Sequence, residues 1–493
     1  MASIEWDAGE DEPFLAAGDR ADEPISSRPR YTARPWQAKS PRAIVLLLSL
    51  MKFGITSSGM LLLVPVYRLI EDAICHVYYD DDSDGMIDEM KCKVKQVQSR
   101  LAYIMGWVAL LNSVVTLLLA YPYGMLADRI GRKPVAFVAY FGLALSFAFA
   151  PFTLGSLSQA IRTNPYVLML GSLFLLVGGG LQVLLATLYA MAADVSDEKD
   201  KAASFLYLTF GATAGGLLGP VLAGLLMQRF GPWVPIYIVL AITPFIFCLF
   251  AFIPETLSPA STKDVDSLGK GSMRQQLADG VRDLVASLGM LKNRNIPLVL
   301  VTFLFQNARF SAYIGLLAQY ISTNFGWTLA ETSLLLSPLG VLNLLLLAVL
   351  PTISKLVMSR LGYNTFEKDL FLTRVSTFVL IVGALIEAFS HNIVLFIIGL
   401  FIGTFGAADS PLARATVSHY VEPEYTSRLY GLISIAEVAG SFLGAPVLAW
   451  LFERGLDAGG IWMGLPYFYI AVICTVAYLT LTFVQPPRTL RDS

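Results

Sequence analysis

Gly124-Met125-Leu126-Ala127-Asp128-Arg129-Ile130-Gly131-Arg132-Lys133-Pro134 separates two apolar runs of the chain and decides how they are joined. Gly124 and Gly131 permit a close approach and a tight turn, and Pro134 suits the first turn of a helix. Arg129, Arg132 and Lys133 hold such a turn on the cytoplasmic side of a bilayer. Asp128 is placed to accept hydrogen bonds from a neighbouring helix start, where the dipole favours an anion. A merely basic loop explains the three cations but not the Gly–Asp–Gly spacing.

The flanking runs, 101–122 and 135–154, each meet the ~20 mainly apolar residues that a membrane-spanning helix needs. Ten more lie at 43–66, 166–191, 204–227, 234–253, 297–322, 329–352, 373–390, 393–414, 429–452 and 464–484. Pro65, Pro220, Pro338 and Pro411 inside them are tolerable where neighbouring helices satisfy the backbone. None alternates polar and apolar residues as a membrane barrel strand does. Of the 493 residues, 55% are apolar and 15% charged, against ~25% charged in soluble domains, and the mean hydropathy is +0.63. A soluble enzyme, a nucleic-acid binder and a disordered scaffold are excluded as primary readings. The expected fold is an all-α membrane protein of twelve transmembrane helices in two six-helix bundles, 43–253 and 297–485. A central loop, 254–296, joins them, and tails 1–42 and 486–493 flank them.

Net charge is -2 and says nothing of partners; the positions of the charges say more. Of the 35 lysines and arginines, 25 fall in segments on the side of the amino terminus and 7 on the opposite side. Both termini and the central loop are therefore expected in the cytoplasm. Tail 1–42 starts acidic and turns basic, buries no apolar area and is expected to be disordered. It lacks the pattern of a cleaved signal peptide, so the first helix is expected to act as the targeting signal. Segment 67–100 falls outside. Its acidic residues read as a solvated loop, which one disulfide between Cys75 and Cys92 can close in an oxidising compartment. Cys248 and Cys474 read as lipid- or core-facing hydrophobes. The histidines and cysteines show no zinc, haem or iron–sulfur spacing, and the acidic loop does not match a calcium loop. No metal and no cofactor are expected.

The chain also repeats itself. At an offset of 225, Gly215 meets Gly440, Gly219 meets Gly444 and Arg229 meets Arg454, while Asp194 and Asp197 meet His419 and Glu422. At an offset of 231, Asp128–Gly131 meets Ser359–Gly362. Two halves of one plan are the mark of a duplicated transporter.

The loop 124–134 resembles, nearly residue for residue, the loop signature of the major facilitator superfamily, and the helix count, central loop and duplication extend the resemblance over about 43–485. In that family the aspartate matching Asp128 engages a helix of the other half when the cytoplasmic side is closed. The resemblance thus implies that Asp128 stabilises the outward-facing state. Ser359 stands where the second copy's aspartate would be, so a matching latch there is weak or absent. Gly211, Gly215, Gly219-Pro220 and Gly224 give the fifth helix a smooth packing face. They also resemble the glycine–proline signature of the superfamily's drug:proton antiporters, although Leu206 and Ala223 replace two of its glycines. Pro254-Glu255-Thr256 is common in the superfamily too. The end of the first helix, Tyr67–Cys75, looks instead like a fungal branch akin to folate and haem carriers, which pulls towards uptake.

A charge at the bilayer centre costs ~2.5–3.5 kcal/mol on insertion scales, so it needs a partner or water. Lys52, Arg309 and Glu437 fall near mid-membrane, and Asp409 nearer the cytoplasmic side; Gln182, Gln306 and Asn307 are uncharged but costly there. The two cations and two anions are expected to neutralise each other, or else to fix helix packing as static pairs. The resemblance implies that helices one, four, seven and ten line the central cavity, which would bring together Lys52, Gln182, Arg309 and Asp409. Arg309 is the expected anion or counter-charge site, and Glu437 and Asp409 the candidates for a carried proton. Glu387 and Arg414 lie near helix ends, where snorkelling to the interface suffices.

No phosphate-cradling loop appears, so nucleotide hydrolysis is not expected, and no catalytic constellation sits at membrane depth. The reading is a secondary active transporter, not an enzyme, that moves a small organic molecule by alternating access. Proton-coupled efflux by antiport is preferred, and proton-coupled import of a nutrient or cofactor is the alternative. A receptor on the same fold is disfavoured by the short tail after 485. The expected partners are the small-molecule substrate, protons and the lipid bilayer, with no nucleic acid. The protein is expected to be a monomer in the plasma membrane rather than the vacuolar one.

Overall fold

Ser40 opens the first helix, its Oγ accepting the Ala43 N–H at 3.2 Å while Pro41 fills the first turn. In the computed structural model, which describes residues 33–81, 83, 85–196, 201–257, 288–421 and 426–486, this helix, α1 (Pro41–Tyr79), runs 39 residues, about 58 Å at 1.5 Å per residue. It ends only at Asp80, whose backbone is left-handed. The expectation of a loop from 67 is therefore corrected: Arg68, Glu71, Asp72 and His76 carry the helix on at i, i+3 and i+4 spacing. The spacing puts all four on one buried face.

The second helix, α2 (Lys95–Ile130), and the third, α3 (Arg132–Ser156), are separated by Gly131 alone, at φ +114°. Span α4 is broken, a 3₁₀ stretch Pro165–Leu176 followed by the α-helix Gly180–Val195. Next come α5 (Lys201–Phe230) and α6 (Trp233–Phe252). The second set begins with α7 (Asn295–Phe325), whose middle turn, Ser311–Leu316, is a π-helix. It continues with α8 (Leu329–Leu361) and α9 (Thr365–Phe389). Span α10 is broken between Ile393–Thr404 and Asp409–Ser418. Span α11 is broken between Thr426–Leu443 and Ala445–Ala458, and α12 (Leu465–Thr482) closes the chain. Among the described residues twelve helical segments are long and apolar enough to cross a membrane.

Glycine packing repeats in the two sets. Gly211, Gly215 and Gly219 lay α5 against α1 so closely that a Cβ on Gly215 would sit 2.6 Å from the Phe53 carbonyl oxygen. Gly440, its partner at offset 225, lays α11 against α7, where a Cβ would collide with the Leu304 carbonyl oxygen. Gly224 instead meets Ala330 and Leu334 of α8, in the other set. Each set has an apolar core, one around Leu48, Met51, Leu184 and Leu188, the other around Tyr320, Phe396, Phe452 and Tyr467, and a smaller cluster of Val64, Tyr67, Met227, Ala318, Leu329 and Ala330 joins the two sets.

Part of tail 1–42 is described and is not free: the Ala38 N–H donates to the Phe252 carbonyl at 2.9 Å, and Gln37 reaches Ala251 and Ile253. Residues 1–32, 258–287 of the central loop, Asp197, Glu422 and 487–493 lie outside the described residues.

Candidate functional site

Between the two sets, α1, α2, α7 and α11 enclose a cavity of about 280 Å³. Its walls are mostly apolar (Leu63, Met105, Val108, Phe310, Ile314, Leu448), with Tyr67, Asn112, Ser311 and Gln319 as its polar groups. The Asn112 Oδ1 is buried without a hydrogen-bond partner. A mainly apolar concavity with a few convergent polar groups is the ordinary form of a small-molecule site.

On the side of the α1–α2 loop, hereafter the loop side, this cavity is sealed. Glu453 of α11 accepts hydrogen bonds from Ser99 and Tyr103 of α2 at 2.8 and 2.7 Å, and Lys95 pairs with Asp457 one turn outward. The Gln319 amide of α7 donates to the Gln98 backbone and side chain at 2.6 and 3.0 Å, and Glu89 accepts the Leu329 N–H at 2.7 Å. Ser333 of α8 bonds the Pro220 carbonyl of α5 at 2.7 Å. The hydrogen bonds and the ion pair just described, with those of Ser322 to Glu89 and Thr323 to Gln98, join the two sets on this loop side.

Beneath the seal lies a buried charge cluster that the sequence, read as a solvated loop, did not reveal. Lys93 reaches Glu71 at 2.7 Å and Glu89 at 3.1 Å; Arg68 reaches Glu71, Asp72 and Glu89. The disulfide Cys75–Cys92 fastens this loop to α1. The helical period of its charges was the available signal. Cys474 is buried and Cys248 exposed.

The expected membrane charges separate into distinct places, and none lines the cavity. Arg309 of α7 and Asp409 of α10 pair at 2.8 Å, with Asp409 1% exposed, and Thr377 of α9 donates to its other oxygen at 2.8 Å. Lys52, 4% exposed, finds no carboxylate: its Nζ donates to the Tyr189 hydroxyl at 2.5 Å and lies 3.9 Å over that ring. The expectation that two cations neutralise two anions thus holds for one pair alone. Glu437 pairs instead with Arg414, which also lies over the Phe303 ring. That corrects the reading of Arg414 as a snorkelling residue. The Gln306 Oε1 is buried without a partner, Gln182 is exposed, and the Asn307 side chain lies outside the described residues.

Glu387 is corrected in the same way. It is 0% exposed, and its Oε2 accepts the Tyr313 hydroxyl at 2.8 Å while Oε1 has no partner. It lies two residues from the end of α9, but the glycine faces of α10 and the rings of Tyr313 and Tyr467 close over it.

The stretch 124–134, expected as a loop, is helical but for Gly131, and the anion at the start of α3 is Glu255, whose two oxygens accept the Arg132 and Lys133 N–H groups at 2.9 and 3.1 Å. Lys133 Nζ donates to the Ile253 carbonyl at 2.7 Å. This gives Pro254-Glu255-Thr256 a structural role that sequence reasoning had not supplied. It also explains Gly131, since a Cβ there would sit 2.5 Å from Glu255 Oε2. Gly124 is exposed at the end of α2, Arg129 is half-buried, and the Asp128 side chain lies outside the described residues.

A model of the Major Facilitator Superfamily matches residues 99–385. The chain belongs to the Major Facilitator Superfamily. Among relatives within it, "MFS efflux pump atnC" of Emericella nidulans is 27% identical over 492 residues, covering 96% of this chain and 94% of its own length. "Efflux pump ustT" of Aspergillus flavus is 27% identical over 461 residues, 89% of this chain and 87% of its own. Solved superfamily structures share the fold. A variant of the nucleoside transporter NupG aligns over 90% of this chain and all of its own with a TM-score of 0.64 at 14% identity. A D-xylose–proton symporter aligns over 90% and 98% with 0.63 at 12%. The protein is a multi-pass membrane transporter of this superfamily.

Proposed function

We propose that the chain is a proton-coupled exporter that moves a small, mostly apolar organic molecule out of the cytoplasm by alternating access. The carrying observation is the cavity between the halves, apolar in its walls and closed on the loop side by hydrogen bonds that run from one half to the other. A seal made of separable polar contacts beside one small shared apolar cluster (Val64, Tyr67, Met227, Ala318, Leu329 and Ala330) can break when the halves rock. The polar groups on the cavity wall favour a ligand that presents at least one hydrogen-bond donor to Asn112. The efflux pumps among the relatives support the outward direction, and the excess of basic residues on the terminal side supports cytoplasmic termini. Plasma-membrane residence, a monomeric state and a rocking latch at Asp128 complete the reading.

Metabolite profiling of cells with and without the protein, inside and in the medium, tests it. Compounds retained inside the cells that lack the protein, with a matching loss from the medium, support export. Compounds depleted inside those cells identify an importer and overturn it. Dissipating the proton gradient in cells that carry the protein should reproduce the retention.

A further inference from the structure

Three membrane carboxyls occupy the carboxy-terminal half, and their surroundings differ. Asp409 shares a buried arginine and a threonine hydroxyl, and Glu437 shares Arg414. Glu387 is the most buried of the three, and its hydrogen-bond partner among the described residues is one neutral hydroxyl, Tyr313. Facing it are Tyr313 and Tyr320 from α7 and Tyr467 and Cys474 from α12. From α10 it meets Gly399 and Gly403, which carry no titratable group. On its own segment the nearest titratable residue is His391, exposed just beyond the helix end. No cation among these groups balances a carboxylate, and an isolated buried charge is far costlier than a neutral acid that keeps its proton.

Position adds to composition. Glu387 lies two residues from the end of α9, about 3 Å along the axis, so a small movement of that end opens it to water on the loop side. Its donor, Tyr313, sits on the π-helical turn Ser311–Leu316, a local widening often found at functional places in helices. That turn starts two residues after Arg309.

Resting on the proton-coupled reading above and deepening it, we propose that Glu387 is the proton-binding residue of the carboxy-terminal half, exchanging its proton with the loop side. Tyr313 then positions the carboxyl. In the step itself the carboxylate takes one proton from water at the loop side and becomes the neutral acid. Loss of that proton returns it to water and leaves a carboxylate held by the Tyr313 hydroxyl.

Infrared difference spectroscopy of the purified full-length protein in lipid nanodiscs, between alkaline and mildly acidic buffer, reads the proton with no substrate present. The expected result is a carboxylic C=O band that grows on acidification, moves in heavy water, and is lost in Glu387→Gln. In Tyr313→Phe, which keeps the acid, the band should persist at a shifted frequency because its one hydrogen bond is gone. That variant decides the matter if Glu387→Gln fails to fold. A band unchanged in both variants overturns the assignment, as does a Glu387 band that stays constant across the titration. Because the readout is the protein's own proton, its failure leaves the export reading standing, and a failed metabolite experiment leaves this one standing.

Discussion

The two halves share their packing and differ in their charges. Gly215 lays α5 on α1 and Gly440 lays α11 on α7 at matching positions. Both α4 and α10, which correspond to each other in the repeat, are broken in mid-span. At the ends of α4 and α10 polar contacts reach α3 and α9: Arg132 to Asp194 at 3.5 Å in one half, and Asp369 to His419 at 3.1 Å in the other. The place is kept while the acidic and basic partners change sides. Within the membrane the likeness ends. Near mid-membrane, among the described residues, the amino-terminal half holds a lysine resting on a tyrosine, whereas the carboxy-terminal half holds two arginine–carboxylate pairs and, nearer a helix end, an acid bonded to a tyrosine hydroxyl. Backbone geometry tolerates little change once two helices touch through glycine, so duplication preserves it. Side-chain charge is free to diverge.

The largest expected effect is on the Arg309–Asp409 pair. Asp409→Ala strands a buried guanidinium and should cost about 3–5 kcal/mol, read as a fall in folded yield and thermal midpoint in detergent. Replacing both at once, Arg309→Met with Asp409→Leu, should restore most of that stability, because a matched apolar pair often equals a buried ion pair. If the double variant is as unstable as the single one, the pair is not the independent unit described here.

Next come the glycine contacts. Gly440→Ala and Gly215→Ala should each destabilise by about 1–3 kcal/mol through overpacking, with Gly440→Ala the worse because its Cβ would meet a backbone oxygen well inside the 2.6 Å found at Gly215. A tolerated Gly215→Ala beside a lethal Gly440→Ala would show that the packing is less symmetrical than the distances indicate. Lys52→Met should lose up to about 2 kcal/mol of cation–π and hydrogen-bond energy, less than Asp409→Ala, since no buried partner charge is stranded. An equal loss would reveal that Lys52 is doing the same work as Arg309. Smallest is Glu255→Gln, which removes the anion from the start of α3 and should cost about 0.3–1 kcal/mol in thermal midpoint.

Much of this was legible in the sequence. The twelve spans announce themselves because bilayer thickness dictates their length, and the loop 124–134 announces the family because its glycines and charges serve one geometry. That Cys75 and Cys92 share one segment made their pairing possible without deciding it, and the structure joins them. What stayed hidden depended on direction rather than on identity. The segment 67–79 looked like a loop because its charges are dense, yet their helical period folds them inward. Glu387 looked peripheral because depth was counted along one helix, whereas its burial comes from the rings of α7 and α12 packed across it. Arg414 and Glu437 found each other across two helices, and spacing along one chain segment cannot report such a pairing. The cavity drew its walls from α1, α2, α7 and α11 rather than from α4 and α10, because the seal gathers at the loop side where those four converge.

The central claim is that the two halves move as bodies about a seal that can open. Electron–electron distance measurements on spin-labelled protein test it directly, with Cys248→Ser in the background and one label pair on each face. Gln96 and Ala458 report the loop side, and Ile130 and Thr482 the terminal side, all four being exposed. On changing pH the first distance should lengthen as the second shortens, in one population exchange. Distances that stay fixed, or that lengthen together, would contradict the account.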